Sequence, residues 1–175
     1  MRSRIIFAII LLAVILDFGQ AQAFDGNRKG FILGLGAGYG SAESFRNTHK
    51  GFGTSFKIGG GLSDQLLLYY SNRVVFYSGY TSTAYQGMSA IAASYFFSPN
   101  APSLFLSGEV GLGSRGVIDR GNRGISGWGF TAGVGFEFVS HLVLEVNVME
   151  AYPESIRGED YSLMNFVATI SWLGF

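Results

Sequence analysis

The sequence predicts an all-β fold, an eight-stranded antiparallel up-and-down transmembrane β-barrel. Three observations favour it: large apolar side chains alternate with small or polar ones, eight segments behave this way, and the connections between them alternate in length. A side-chain period of two is that of a β-strand, whose successive residues face opposite sides of a sheet. Short turns on one side and longer polar loops on the other are typical of a transmembrane barrel.

The composition fits a single folded domain. The 175 residues include 26 glycines, 16 phenylalanines and 9 tyrosines but only 3 prolines, which is too aromatic for a disordered chain. Cysteine is absent, and its absence excludes disulfides, thiolate metal sites and cysteine nucleophiles. Stability must therefore come from burial and from backbone pairing.

The first 23 residues read as a cleaved secretory signal peptide. A basic start is followed by the 12 apolar residues "IIFAIILLAVIL" and then by "AQA", which predicts cleavage after Ala23. Twelve residues fall short of the roughly 20 that span a bilayer as a helix. Residues 24–175 would then form one barrel domain with a net charge near zero, which does not favour nucleic-acid binding.

Five segments show the alternation clearly. They are residues 30–40, 51–60, 103–114, 128–138 and 142–148. Three more are less regular: Leu66 to Tyr77, Thr83 to Phe97 and Tyr161 to Phe175. In the last of these, Phe175 and Leu173 share a face with Ser171, whereas Trp172 and Ile170 lie on the other face. Both faces are fairly apolar, so the sequence leaves open which one points into the barrel.

The connections alternate between short turns and charged loops. Short turns are predicted near residues 63–64, 98–102 and 139–141, and longer loops at 41–50, 115–124 and 151–160, with 78–82 intermediate. This pattern predicts that both chain ends lie on the side of the short turns, which is the periplasmic side of an outer membrane.

The character of the two faces decides which one meets lipid. One face of each regular strand carries Phe, Leu, Val or Trp, and the other carries glycine, serine, threonine and isolated charge. Eight strands leave an interior just wide enough for side chains, so the bulky face must point outward to lipid. Aromatic residues are then expected at both lipid–water boundaries. The periplasmic group would be Phe31, Tyr95, Phe97, Phe138 and Phe175, and the outer group Tyr39, Phe52, Tyr77, Tyr80, Tyr85 and Trp128.

With a leader, eight strands and a final phenylalanine, the chain resembles the small eight-stranded outer-membrane proteins of Gram-negative bacteria, the OmpA-barrel, OmpX and opacity-protein group. The resemblance implies an outer-membrane location among membrane lipid and lipopolysaccharide. It also implies that the outer-membrane assembly machinery reads Leu173 and Phe175 as a signal. The chain departs from the family pattern at Ser171 and Thr169, where bulkier apolar residues are usual.

Charged residues at inward positions are the main candidate site. They are Lys57, Arg73, Glu109, Glu137 and Glu145, with Arg115 near the outer end. Charges inside a narrow barrel must be paired or hydrated, because an isolated buried ion is very costly. Two interpretations remain: a salt-bridge network that plugs the lumen, which the small interior favours, or a cation path in a porin-like channel for small solutes.

An enzyme that modifies lipid A is the other alternative. The His-x-Ser-Asn motif of the lipid A deacylases is missing, because the comparable region reads "VMEAYPES". His49, in a predicted outer loop, could act with Ser41, Ser44 or Ser82, whereas His141 lies in a predicted turn at the opposite end. No catalytic residue, metal ligand or cofactor site is predicted. The sequence favours a structural or surface-interaction protein that could bind a protein partner through mixed-charge outer loops.

Overall fold

The computed structural model describes residues 26–44, 47–78, 82–118, 124–153 and 162–175. The predicted signal peptide lies outside these residues. Within them the chain forms eight strands joined in sequence order. The strands are β1 (Gly30–Ser44), β2 (Asn47–Gly61), β3 (Leu66–Ser78), β4 (Thr83–Phe96), β5 (Ser103–Val117), β6 (Ile125–Val139), β7 (Leu142–Pro153) and β8 (Leu163–Gly174).

The eight strands close into an antiparallel barrel, which confirms the predicted fold class. Each strand pairs with the next along the chain, and β8 pairs with β1 from Leu33↔Gly174 to Ala42↔Asn165. Closure removes the edges at which backbone N–H and C=O groups would remain unpaired. The described part of the chain contains no helix long and apolar enough to cross a membrane.

The barrel has two distinct ends. Residues 62–65, 97–102 and 140–141 form short turns at one end, as predicted, and we call it the turn end. The opposite end, where β1 meets β2 and β7 meets β8, is the loop end.

The prediction of a loop over residues 41–50 is wrong, because β1 continues to Ser44 and β2 begins at Asn47. Hydrogen bonding between the two strands continues beyond the point where their apolar alternation stops.

Side chains follow the predicted inside–outside alternation. On β5, Leu104, Leu106 and Val110 are exposed, whereas Ser107 and Glu109 are buried in the lumen. The structure also shows which face of β8 points into the barrel, a question that the sequence left open. Trp172, Ile170 and Phe166 point outward, and Leu173, Ser171 and Thr169 point inward. The small hydroxyl side chains occupy the narrow interior, and the larger apolar ones face outside.

Two predicted boundary aromatics instead point into the barrel. Phe175 is 3% exposed and packs on His141, with 4.6 Å between ring centroids. Tyr77 is 4% exposed and stacks on His49 at 5.0 Å. The prediction that these two rings lie at the lipid–water boundary is therefore wrong. The other predicted boundary residues are exposed or half-exposed, except Tyr80, which lies outside the described residues. They are Phe31, Tyr39, Phe52, Tyr85, Tyr95, Phe97, Trp128 and Phe138.

Glycines on the inner face make room for the larger lumen side chains. A Cβ atom added at Gly135 would overlap the ring of Phe105 and lie 2.9 Å from the Leu144 carbonyl oxygen. Gly135→Ala should therefore lower the free energy of unfolding by about 1–3 kcal/mol, as overpacking does in cores. The measurement is denaturant unfolding of the refolded barrel.

Gly108→Ala is the matched control, because nothing lies within 4 Å of a Cβ atom added on the outward side of Gly108. Equal stability of the two variants would contradict the packing described here.

Candidate functional site

Four of the predicted lumen charges meet at mid-height inside the barrel. Lys57 Nζ lies 2.7 Å from Glu145 Oε2, Arg73 Nη1 lies 2.8 Å from Glu109 Oε1, and Arg73 Nη2 lies 3.3 Å from Glu145 Oε2. The four residues come from β2, β3, β5 and β7. Together they form what we call the central network, which ties together strands that are not neighbours in the sheet.

Serine hydroxyls complete the coordination of both carboxylates. Ser71 donates to Glu109 Oε2 at 2.9 Å, and Ser107 donates to Glu145 Oε1 at 3.0 Å. Each carboxylate thus has a partner on both oxygens. Two positive and two negative charges balance inside the network, and all four charged side chains are buried. Buried charges are tolerated in such an arrangement because each is both paired and hydrogen-bonded.

Aromatic rings enclose the ammonium group of Lys57 on its other sides. The Nζ atom lies 5.2 Å from the centre of the Tyr69 ring and 5.8 Å from that of Phe105. Both are within the range of cation–π attraction. The Tyr69 hydroxyl in turn hydrogen-bonds the Ser94 hydroxyl at 2.7 Å. The network is therefore continuous with the packed aromatic core beneath it.

Glu137, the fifth predicted lumen charge, lies in a separate cluster at the turn end. Its carboxylate pairs with Nε and Nη2 of Arg28, and both side chains are fully buried. Arg28 Nη1 lies 2.8 Å from the backbone oxygens of Asp64, Ser98 and Pro99. One guanidinium group thus holds the turns between β2 and β3 and between β4 and β5, together with strand β6.

His141 connects this cluster to the end of β8. Its backbone N–H donates to Glu137 Oε1 at 3.1 Å, and its Nδ1 lies 3.0 Å from the Leu173 carbonyl oxygen. The guanidinium of Arg28 lies 4.1 Å above the Phe96 ring and 5.8 Å from the Phe175 ring. Leu173 and Phe175, the predicted assembly signal, therefore pack inside the turn end. We call Arg28, Glu137, His141, Phe96 and Phe175 the turn-end cluster.

A small cavity borders the central network on the side of the loop end. It holds about 10 Å³ and is lined by Arg73, Met88, Thr131, Asn147, Met149, Asn165 and Val167. Arg73 Nε, Asn147 Nδ2 and Asn165 Oδ1 are buried polar atoms without a protein partner. A cavity of this size suits one water molecule, which needs two to four polar partners.

Beyond the cavity toward the loop end, the lumen holds two groups of buried apolar residues together with the buried amides of Gln86 and Asn165. Met88, Ala90 and Met149 pack together, and above them lies a second group of buried residues. That group is Ala42, Val75, Tyr77, Ala84 and Val167. Arg115, which was predicted near the outer end, lies in this region of β5 and is half-buried.

The histidines do not share a site. His49 lies within β2 at the loop end, stacked on the buried ring of Tyr77, and His141 lies in the turn end. The described residues contain no group of three or more His, Cys, Asp or Glu side chains that could hold a metal ion. The arrangement supplies ion pairing and packing.

No family model and no curated protein matches the sequence, but solved structures match the fold. Neisserial surface protein A aligns with a TM-score of 0.61 and 16% identity over 83% of this chain and 97% of that one. The fold is that of the small eight-stranded outer-membrane barrels. Ail, the attachment invasion locus protein of Yersinia pestis, aligns with a TM-score of 0.57 and 10% identity over 82% of this chain and 98% of that one. Ail was also solved in complex with the heparin analogue sucrose octasulfate.

These likenesses confirm the predicted resemblance at the level of fold. At 16% and 10% identity the likeness concerns the fold only. The ion pairs among Lys57, Arg73, Glu109 and Glu145 are therefore a feature of this chain's own structure. Arg28 is the residue that sequence reasoning missed. It precedes the first strand, where no alternation indicates whether a side chain points inward.

Proposed function

We propose that the protein is an outer-membrane barrel whose lumen is closed to ions, and that it acts as a structural or surface-interaction protein. The observation that carries this proposal is the central network, in which four buried charges from four strands neutralise one another across the lumen. Apolar packing above it and the turn-end cluster below it close the remaining length of the barrel.

The outer surface supports a membrane location. Large apolar side chains cover it, and Ile91, Val110 and Leu112 are exposed by 65%, 62% and 61%. Rings of Tyr95, Phe97 and Phe138 lie toward the turn end, and rings of Tyr39, Phe52, Trp128 and Tyr152 lie toward the loop end. Two aromatic rows flanking an apolar band are typical of outer-membrane barrels.

Short turns on one side favour an orientation with the turn end and both chain ends in the periplasm. The loop end would then face the outside of the cell. Neisserial surface protein A and the attachment protein Ail share this fold and carry surface roles in their names. By analogy, the loop end of this chain is the surface that meets lipopolysaccharide or a protein partner. The assembly machinery would meet the end of β8, at Leu173 and Phe175.

Passage of an ion through the lumen would be energetically costly, and this cost supports a closed lumen. A permeating cation would have to separate Arg73 from Glu109 and Glu145, leaving buried charges unpaired. An eight-stranded barrel leaves little room beside those side chains for a hydrated ion. The proposal therefore expects no ion path along the lumen.

Planar-bilayer recording tests this directly. The purified mature chain should give no discrete conductance steps, whereas a porin with more strands added to the same bilayer should give them. Glu109→Gln should also remain silent and should only reduce stability, because the surrounding packing stays in place. Conductance steps in the wild type that change in size with Glu109→Gln would show that the lumen conducts, and would overturn the proposal.

A further inference from the structure

A polar pair lies on the outer surface of the barrel, among residues that otherwise are apolar or small. Asn72 of β3 and Ser89 of β4 lie directly opposite each other in the sheet and alternate with inward-facing neighbours. Asn72 Nδ2 donates a hydrogen bond to Ser89 Oγ at 2.7 Å. Tyr70, Val74 and Ile91 flank the pair on the same face.

The pair lies between the two aromatic rows. Along β4, Ser89 is about 13 Å from Tyr85, toward the loop end, and about 20 Å from Tyr95, toward the turn end, at roughly 3.3 Å per residue. An apolar band of about 25 Å is typical of an outer-membrane barrel. In the membrane proposed above, Asn72 and Ser89 therefore face the hydrocarbon region.

One hydrogen bond does not satisfy an amide in hydrocarbon. An asparagine side chain has two N–H donors and a carbonyl oxygen, and Ser89 takes only one donor. Unpaired polar groups are costly where there is no water to accept or donate. Between transmembrane helices, polar side chains and small residues are enriched where the two segments pack together, and the same reasons of close approach and hydrogen bonding hold between barrels.

The surface beside the polar pair has a matching shape. Ala93 of β4 and Gly108 of β5 are paired in the sheet and are among the residues that line an open depression of about 380 Å³. Ile91 and Val110 line this depression, and together with the neighbouring Leu112 they form a ridge of some of the most exposed large apolar side chains. A ridge that borders a depression can enter the depression of a second copy while that copy's ridge enters the first, which is the reciprocal contact of an isologous dimer interface.

We propose that the outer face of β3, β4 and β5 binds a second copy of this chain within the membrane. The ridge of each copy fills the depression of the other, and the two Asn72 side chains exchange hydrogen bonds through their remaining donor and acceptor groups. This inference rests on the proposed membrane location. A lipid acyl chain could fill the depression, but it offers no partner to the amide, and for this reason a second copy fits better.

Cross-linking tests the proposal cleanly, because the chain has no cysteine. Ile91→Cys places a thiol on the ridge, and Ala37→Cys places one on the exposed face of β1, three strands away from β4 around the barrel. In lipid vesicles with a large excess of lipid, mild oxidation should give a disulfide-linked dimer from Ile91→Cys. The dimer yield from Ala37→Cys should be about tenfold lower.

Second-site changes then probe the contact itself. In the Ile91→Cys background, Asn72→Leu should weaken association by about tenfold, the range expected for a hydrogen bond between membrane-embedded segments. Gly108→Leu fills the depression and should also weaken association, and it meets no atom within 4 Å of its Cβ. Ala37→Leu is the matched control and should leave the dimer yield unchanged.

Three results would overturn the proposal: no dimer from Ile91→Cys, equal dimer from both cysteine positions, or a yield unaffected by both Asn72→Leu and Gly108→Leu. Monomers that retain a bound lipid would assign the depression to an acyl chain instead. Each variant is first checked for a gel shift on boiling. Loss of that shift in the wild type would refute the membrane barrel itself, which keeps the two failures distinguishable.

Discussion

Glu145→Gln should lower the free energy of unfolding by about 3–5 kcal/mol, the cost of breaking a buried ion pair by removing one partner. Glu145 is the carboxylate that both Lys57 and Arg73 contact, and it also accepts a hydrogen bond from Ser107. Gln keeps the shape of the side chain but leaves an excess positive charge in the lumen. Urea unfolding in lipid vesicles, followed by tryptophan fluorescence, measures the loss.

Glu150→Gln is the matched control, because Glu150 lies on the same strand with its side chain on the outward face. It should change the free energy of unfolding by less than about 0.5 kcal/mol. The double variant Lys57→Met with Glu145→Gln restores charge balance around Arg73 and Glu109, so it should be more stable than Glu145→Gln alone. If Glu145→Gln is as mild as Glu150→Gln, the central network does not stabilise the barrel.

Arg28→Met should lower the free energy of unfolding by a similar amount, about 3–5 kcal/mol, because it disrupts the turn-end cluster. The change leaves the buried carboxylate of Glu137 without its cation and frees the carbonyl oxygens of Asp64, Ser98 and Pro99. Arg28→Lys should recover only part of the loss, because an ammonium group lacks the planar fork that serves both partners. Thermal unfolding of the folded barrel in detergent is the measurement.

Lys29→Met is the control for Arg28→Met, since Lys29 is the exposed neighbour. The bond from its backbone N–H to Asp64 Oδ1 survives the substitution. Equal stability of Arg28→Met and Lys29→Met would mean that the turn-end cluster does not hold the turns together.

The fold was predictable where the two faces of a strand differ strongly. On β6, Trp128, Phe130 and Phe136 alternate with glycine, threonine and Glu137, and only one assignment fits lipid outside and a narrow lumen inside. On β8 both faces are apolar, so the inward position of Leu173 becomes clear only when the neighbouring strands are in place. The strand ends were underestimated because β1 and β2 continue to pair where their side chains become polar.

The sequence predicts which charged residues belong to the candidate site, but it does not predict which of them form ion pairs with one another. Inward alternation identified Lys57, Arg73, Glu109 and Glu145, yet which cation meets which carboxylate depends on distances across the lumen that sequence spacing does not contain. Phe175 and Tyr77 were placed at the membrane boundary because aromatic residues near strand ends are typical there. Inside this barrel their rings instead pack on His141 and His49.

Heat modifiability in gel electrophoresis tests the central claim, a closed barrel embedded in a membrane, most directly. The mature chain is folded into detergent or lipid, and its mobility is compared before and after boiling, with circular dichroism recorded on the unboiled sample. The account predicts a clear mobility shift on boiling and a β-rich spectrum that depends on detergent or lipid. A chain that stays monomeric and folded without detergent, and shows no shift, would contradict the account and would indicate a water-soluble barrel.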